Sequence, residues 1–207
     1  MTSGRVAALL AVATLLPACA TLPVGTDGLS YDERRHALEA LDTWEMRGRL
    51  AVDMGDRAFQ GRFNWRQTAD ALDLLVRGPL GNGVLQVAGT PNALQVTARG
   101  ETRTLEDPES ELSELLGWWL PVASLPAWLL GLPDGQFRAA TEPGADGTLA
   151  AIEQRLWHVA YPAYRLTPMT GAANGMLIPR RIDLAHGELK LRLTIDDWQP
   201  ATLATSP

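Results

Sequence analysis

The sequence predicts a mainly β fold, in which one antiparallel sheet of many strands is interrupted once by a pair of apolar helices. Two observations favour this class. Apolar and polar residues alternate through much of residues 44–98 and 149–196, with the period of two that is typical of half-buried strands. The connections between most of these segments are too short to hold a crossover helix, so we expect neighbouring strands to be antiparallel.

The N-terminus has the layout of a secretory signal. One positive charge, Arg5, precedes an uncharged apolar stretch from Val6 to Leu16, and small residues follow. The tetrapeptide that ends at Cys19 resembles the bacterial lipobox, whose cysteine is acylated and becomes the first residue of the mature protein. We therefore predict a lipoprotein signal peptide over residues 1–18 and lipidation at Cys19, the only cysteine of the chain. The alternative is an ordinary secretory signal or a buried free cysteine.

Residues 19–29 contain a proline and two glycines without apolar periodicity, and we predict that they form a tether. In similar lipoproteins an Asp after the cysteine usually signals retention in the inner membrane. Ala20 stands there instead, which favours the outer membrane. A first helix is expected to follow, because Ser30 and Glu33 have the spacing of a capping box. A single folded domain is predicted over residues 30–200.

The first predicted strand runs from Glu45 to Asp53 and places Arg47 and Arg49 on one face. We expect that face to meet solvent. The alternative is a concave face, where a buried guanidinium would need a partner such as a carbonyl group from the lid.

The next strands continue the alternation as an antiparallel meander. Residues 57–67 and 71–78 are each predicted as a strand, and residues 83–100 as a hairpin that turns at residues 89–92. On one face these segments carry Phe59, Gly61, Phe63, Trp65, Leu72, Leu74, Val76, Leu85, Val87, Leu94 and Val96.

One turn in this region carries an apolar side chain that has little to pack against. Residues 77–83 read Arg-Gly-Pro-Leu-Gly-Asn-Gly, and most of them tolerate the backbone angles of tight turns. Leu80 stands in the middle of the run. Either this leucine folds back onto the core, or it meets something apolar outside the protein.

Two short helices are predicted in the middle of the chain. Asp107 as N-cap, Pro108 as the first helical residue and Gly117 at the C-terminus mark both ends of the first helix. The second runs from Ser124 to near Gly131. Both are more apolar than a surface helix needs to be, which suits a lid over one face of a sheet. An incomplete fit would leave an apolar cavity between sheet and lid.

A link rich in glycine and proline is predicted over residues 133–147, and strands follow it. These are expected at residues 149–161, 163–167, 177–186 and 187–196, with Gly187 at the turn before the last strand. Leu189, Leu191, Leu193 and Ile195 line one face of that strand.

Composition and motifs argue against several functions. The formal net charge is −6 and the basic residues form no run, so no nucleic-acid partner is expected. The three histidines have no metal-like spacing to one another or to Cys19, and no Gly-x-Ser-x-Gly motif occurs. We therefore predict no catalytic residue, no metal and no cofactor.

These features, in this order, resemble the LolB family of outer-membrane lipoprotein receptors of Gram-negative bacteria. The turn around Leu80 and the segment from Trp128 to Pro133 are the most specific. The residues that carry the resemblance are the lipobox at Cys19, RGRLAV from Arg47, FNWRQ from Phe63, RGPLGNGVLQV from Arg77, LPVASLPAWLLGLP from Leu120 and LKLRLTIDDW up to Trp198.

The resemblance implies an incomplete antiparallel β-barrel with a helical lid, similar to the periplasmic carrier LolA. The protein would be held in the outer membrane through acylated Cys19 and face the periplasm as a monomer. It would accept acylated lipoproteins from a LolA-like carrier and insert them into the inner leaflet of the outer membrane. Pro79, Leu80 and Gly81 would form the loop that acts in delivery to the membrane.

An apolar cavity would hold the acyl chains of the cargo. Position by position, ordinary core packing is an equally good interpretation of the residues proposed for it. These residues are Phe63, Trp65, Leu74, Val76, Leu85, Val87, Trp118, Leu125, Trp128 and Leu129.

The competing interpretation is a lipoprotein that transfers nothing, a structural or assembly subunit whose Leu80 loop binds another protein. In that case sheet and lid should pack without a cavity. An enzyme that acts on lipids would need a nucleophile and a base that converge in the cavity. For a transfer protein, the acidic chain would require a basic docking rim on the carrier.

Overall fold

The computed structural model describes residues 27–81, 83–169 and 172–200. The predicted signal peptide, Cys19 and most of the predicted tether lie outside these residues. Three helices precede or interrupt the strands, and none of the described helices is long and apolar enough to cross a membrane. The helices are α1 Tyr31–Glu39, α2 Pro108–Leu116 and α3 Leu125–Leu129.

The described strands form one antiparallel sheet, in the order β6, β5, β4, β3, β2, β1, β11, β10, β9, β8, β7. Strands β6 and β7 are its two edges, so the sheet is not closed. The predicted class, mainly β with an open antiparallel sheet and few helices, is confirmed. The strands are β1 Thr43–Asp53, β2 Ala58–Thr68, β3 Ala71–Arg77, β4 Gly83–Thr90, β5 Ala93–Ala98, β6 Glu101–Leu105, β7 Ala139–Pro143, β8 Leu149–Gln154, β9 Trp157–Met169, β10 Ala172–His186 and β11 Leu189–Pro200.

The helix ends lie where the sequence places them. The Ser30 hydroxyl accepts from the Glu33 N–H at 3.3 Å, and the Glu33 carboxylate accepts from the Ser30 N–H at 2.9 Å, which completes the capping box before α1. Asp107 caps α2, and Gly117 ends that helix with a φ of 80°.

The sequence-based assignment of strands is wrong in five places. Strands β6 and β7 were not predicted, and β7 lies inside the predicted link over residues 133–147. The predicted strand over residues 149–161 is two strands that are separated by a turn, and residues 163–167 continue β9. The hairpin of β4 and β5 turns at residues 91–92 rather than 89–92, because Gly89 still pairs with Leu94.

Arg47 and Arg49 lie on the outer face of β1, as expected. Both side chains are more than half exposed, and their nitrogens lie 2.6 Å and 2.8 Å from the carboxylates of Glu45 and Asp196. The alternative, in which the lid covers these arginines, is wrong. The inner face of β1 carries Met46 in the core.

Gln154, a buried residue of β8, holds the helical segment between β6 and β7 to the sheet by hydrogen bonds. Its side-chain oxygen accepts from the indole N–H of Trp128 at 2.8 Å and from the backbone N–H of Asp134 at 2.9 Å. Its amide donates to the carbonyl oxygens of Asp134 and Phe137, each at 2.8 Å. All four hydrogen-bonding positions of one side chain therefore hold α3 and the residues that follow it.

The antiparallel order places the turns at two opposite ends of the sheet. The turn with Leu80, between β3 and β4, lies at the same end as the β1–β2, β5–β6, β8–β9 and β10–β11 turns, and we call this the Leu80 end. Helix α1 and the β7–β8 turn lie at the opposite end, where β1 begins. The two ends of the sheet therefore present different residues for contact, the Leu80 turn at one end and α1 at the other.

Candidate lipid-binding interior and exposed turn

The ten residues predicted for the acyl-chain cavity belong to one hydrophobic cluster between the inner face of the sheet and the helical segment. Seven of them are buried. Leu74, Leu85 and Trp118 are half-buried and pack against the others. The structure therefore brings together all the residues that the sequence assigned to this interior. Their contact with a ligand is a separate matter and stays a prediction.

The strand residues of this group form two rows across β2, β3 and β4. In one row Trp65 pairs with Leu74, which pairs with Val87. The other row consists of Phe63, Val76 and Leu85, paired in the same way. Because alternate residues of a strand share a face, the period of two in the sequence was sufficient to find them.

Gly48 on β1 allows the ring of Phe63 to lie close to the backbone of the neighbouring strand. A Cβ atom at position 48 would lie 2.9 Å from Cε1 of Phe63 and 2.1 Å from the carbonyl oxygen of Thr194. A side chain at this position would push β1 away from β11 or displace the ring. The glycine thus sets the position of a predicted interior residue.

Trp157 is at the centre of the aromatic contacts of the interior, although the sequence analysis did not assign it there. Its ring centroid lies 6.4 Å from that of Trp118, 6.3 Å from that of Trp128 and 5.3 Å from that of His186. Within the described residues its buried indole N–H has no hydrogen-bond partner. The alternation of Trp157, Val159 and Tyr161 on one face of β9 was the signal that could have identified it.

The phenol of Tyr161 is a buried polar group near these rings. The hydroxyl of Tyr161 donates to the carbonyl oxygen of Trp128 at 2.9 Å, so the sheet binds the backbone of α3 directly. Burial raises the pKa of Tyr161 well above its ordinary value, so the phenol stays neutral. In the described residues no group of three or more His, Cys, Asp or Glu side chains is placed to hold a metal ion.

Leu80 does not fold back onto the core. The N–H of Gly81 donates to the carbonyl oxygen of Gly78 at 2.9 Å, which closes a turn with Pro79 and Leu80 at its corners. Gly81 has a φ of 82°, a conformation that favours glycine. The side chain of Leu80 is 90% exposed, the highest value among the large apolar residues described. Of the two positions that the sequence left open, the outward one is confirmed.

A groove of about 540 Å³ lies elsewhere, on the outer face of the sheet. It crosses β2, β1, β11, β10 and β9, and none of the ten predicted cavity residues lines it. Its lining includes four small residues, Ala51, Ala58, Ala160 and Ala185, beside the longer side chains of Gln60, His158, Asp183, Lys190 and Arg192.

Comparisons with known proteins agree with this architecture. The family model described as "Outer membrane lipoprotein LolB" matches residues 42–198. An outer-membrane lipoprotein LolB from Stutzerimonas stutzeri is 33% identical over 201 residues, which are 93% of this chain and 94% of the relative. The protein of the same name from Pseudomonas syringae is 33% identical over 178 residues, covering 86% of this chain and 84% of the relative.

Solved structures show the same fold at low sequence identity. A LolA superfamily protein from Nitrosomonas europaea has a TM-score of 0.51 at 9% identity and covers 84% of this chain and 95% of its own. A DUF1329 family protein from Desulfovibrio piger has a TM-score of 0.52 at 7% identity, with 85% of this chain and 93% of its own covered.

Proposed function

Since this chain belongs to the LolB family of outer-membrane lipoproteins, we propose that it accepts acylated lipoproteins from a LolA-like periplasmic carrier and inserts them into the inner leaflet of the outer membrane. The observation that carries the mechanism is the pairing of an apolar interior with an exposed leucine at one end of the sheet. The first feature suits the binding of acyl chains, and the second suits contact with a bilayer.

We assign the acyl chains of the cargo to the interior between sheet and helical segment. The half-buried residues Leu74, Leu85 and Trp118 pack against the buried part of the cluster, and we assign them to the entry of the chain. Burial of an acyl chain against such residues contributes about 0.8 kcal/mol per methylene group. The unpaired indole N–H of Trp157 offers a donor to the ester carbonyl of an acyl chain.

Leu80 is assigned to delivery. Transfer of one leucine from water to an apolar medium contributes about 1.5–3 kcal/mol, which gives a transient contact rather than a stable anchor. Stable attachment would come from the acyl chains on Cys19, because two or more chains hold a protein at a membrane. No catalytic step is part of this proposal, and the protein would act as a monomer.

The test compares wild type with Leu80→Glu in a soluble form that lacks residues 1–19. Each protein is mixed with a carrier-bound acylated lipoprotein and then with lipid vesicles, and the cargo in each fraction is measured. We expect both proteins to take the cargo, and Leu80→Glu to release it to vesicles roughly tenfold or more slowly. The reason is that a carboxylate at position 80 removes the apolar contact with the bilayer.

The matched control is Leu166→Glu, which alters an exposed leucine on β9 toward the opposite end of the sheet. This control should release cargo like wild type. If neither wild type nor either variant takes the cargo, the transfer function is wrong, and a protein partner for the Leu80 loop becomes the better explanation. If Leu80→Glu fails to take cargo but wild type succeeds, the assignment of Leu80 to delivery is wrong.

A further inference from the structure

Leu156 is a second leucine that, like Leu80, lies exposed on a tight turn. The β8–β9 hairpin closes at the Gln154 and Trp157 pair, so its loop contains only Arg155 and Leu156. Both loop residues have positive φ, 52° and 62°, which is the conformation of a type I′ turn. Asn and Gly favour this conformation, whereas a bulky residue such as leucine adopts it rarely. The side chain of Leu156 is nonetheless 85% exposed, so core packing does not account for it.

Leu156 and Leu80 lie at the same end of the sheet. Their turns connect β8 to β9 and β3 to β4, and strands β2, β1, β11 and β10 separate β3 from β9. In a curved sheet such turns are distributed along one rim. The Leu80 end therefore presents two isolated apolar tips, and each stands on a tight turn that holds it away from the core.

Arg155, the other residue of this loop, contacts aromatic rings, and its charge is paired. The guanidinium of Arg155 lies 4.2 Å from the ring centroid of Phe137, which is 42% exposed, and 5.1 Å from that of Trp119. The same guanidinium donates to both carboxylate oxygens of Glu109, at 2.9 Å and 2.6 Å. Aromatic rings and a neutralised cation beside an apolar tip are suited to the interface of a bilayer with water.

We propose that Leu156 is a second membrane-contacting residue, which enters the lipid surface together with Leu80 and orients the Leu80 end toward the bilayer. This rests on the proposed function, in which Leu80 contacts the membrane. A lipid surface fits the geometry better than a protein, because a specific protein interface needs a continuous area of about 800 Å² per partner. Two separate convex tips provide no such area, and a bilayer accepts each tip without a matching pocket.

The first experiment uses the full-length acylated protein in vesicles of phosphatidylethanolamine and phosphatidylglycerol. Leu156→Cys, Leu80→Cys and Leu166→Cys are each labelled with an environment-sensitive fluorophore. With Cys19 acylated, the introduced thiol is the only one in the chain. We expect the emission at positions 80 and 156 to shift to the blue and to be quenched by lipids that carry a quencher on the acyl chain. Position 166 should show neither effect.

The second experiment measures cargo release with Leu156→Asn, again in the full-length protein. Asparagine tolerates positive φ, so the melting temperature should be unchanged or higher, while release to the membrane should slow about five- to tenfold. Uptake from the carrier should be unchanged. Leu166→Asn is the matched control and should release cargo at the wild-type rate.

The outcomes distinguish a failure of the inference about Leu156 from a failure of the membrane contact assigned to Leu80. If position 80 enters the lipid and position 156 does not, the inference about Leu156 is overturned and the proposed function stands. If neither position enters the lipid, the membrane contact assigned to Leu80 is wrong as well. If Leu156→Asn slows uptake from the carrier and leaves release unchanged, the tip belongs to a carrier-docking surface, and the inference is also overturned.

Discussion

Arg34 is a charged side chain of α1 that the fold buries almost completely, together with Asp27. The guanidinium binds both oxygens of the Asp27 carboxylate and donates to the carbonyl oxygens of Leu177, Gly147 and Asp146 at 3.2, 3.2 and 2.7 Å. These contacts join Asp27 and α1 to β10 and to the β7–β8 turn. Asp27 lies within the segment that the sequence predicts as tether, so the ordered contacts begin before Ser30.

We predict that Asp27→Asn destabilises the protein by about 3–5 kcal/mol, because it leaves a buried guanidinium without its counter-charge. Burial opposes ionisation of Asp27, but the hydrogen bonds from Arg34, Leu177 and Leu29 and the charge of Arg34 outweigh it and hold the pKa below its ordinary value of 3.8. The stabilisation is therefore present above about pH 4 and is lost as the pH falls through the lowered pKa.

Thermal unfolding of wild type and Asp27→Asn between pH 3 and pH 7 measures this effect. The difference in melting temperature should be largest near neutral pH and should shrink below about pH 4. Glu39→Gln, which alters the exposed ion pair of Arg35 with Glu39, is the matched control and should cause no comparable loss. A difference that stays constant down to pH 3 would contradict the assignment.

Single residues differ in how far the sequence predicts them. Leu80 was identifiable because glycine and proline around it mark a turn. Nine of the ten interior residues were identifiable because they alternate or follow a helical period, and Trp118 because it lies between two apolar helices. Arg34 and Gln154 were not, since they sit in polar sequence contexts and their burial depends on partners far along the chain, such as Leu177 and Asp134. One sequence contains no signal for such pairings.

At the scale of elements, α1 and α2 were predicted because their caps are local. The two-residue turn at Arg155 and Leu156 was missed for the opposite reason, because neither residue is typical of turns, and β8 and β9 therefore looked like one strand. Strand β6 was missed because four of its five residues are exposed and polar. An edge strand of this kind is held by its backbone pairing with β5 rather than by an apolar face.

The helical segment should open as a unit when its connection to Gln154 is removed. We predict that Gln154→Ala increases the rate of backbone hydrogen exchange by at least tenfold over residues 124–137 and leaves strands β1 and β2 protected. The reason is that four hydrogen bonds on one buried side chain hold this segment to β8. Exchange measured by mass spectrometry after proteolysis resolves these regions.

Gln86→Ala is the matched control, because Gln86 is exposed and its amide donates to Asp73 on the outer face. It should leave the exchange of residues 124–137 unchanged. Uniform loss of protection across the sheet in Gln154→Ala would mean that the segment does not open independently of the fold.

At the scale of the whole molecule, one continuous sheet places an apolar interior and two exposed leucines at separate positions. Its inner face and the helical segment enclose the apolar cluster, while its strands hold Leu80 and Leu156 at one end and the Asp27–Arg34 pair at the other. The sequence predicted the sheet and the lid. It could not predict the separation of the ends, because that follows from the strand order, which places β1 beside β11.

Because the two ends are separated, the maximum length of the segment from Cys19 to Asp27 limits which membrane surface Leu80 can reach. Cys19 and Asp27 are eight residues apart, which can span at most about 28 Å. Strand β1 has 11 residues, about 36 Å along the strand, and at the tilt usual for a barrel it rises about 28 Å. If Cys19 is acylated, this segment is therefore just long enough for Leu80 to touch the leaflet in which the protein is anchored.

Shortening this segment should affect delivery to the protein's own membrane but not delivery to a second membrane. We predict that deletion of residues 21–24 in the acylated protein lowers delivery of cargo to its own vesicle at least fivefold, because Leu80 no longer reaches that surface. Delivery to a second, differently labelled population of vesicles should continue at the wild-type rate. Replacement of the four residues by a Gly-Ser segment of equal length is the control, and it should restore delivery to the protein's own membrane if reach alone decides where the cargo goes.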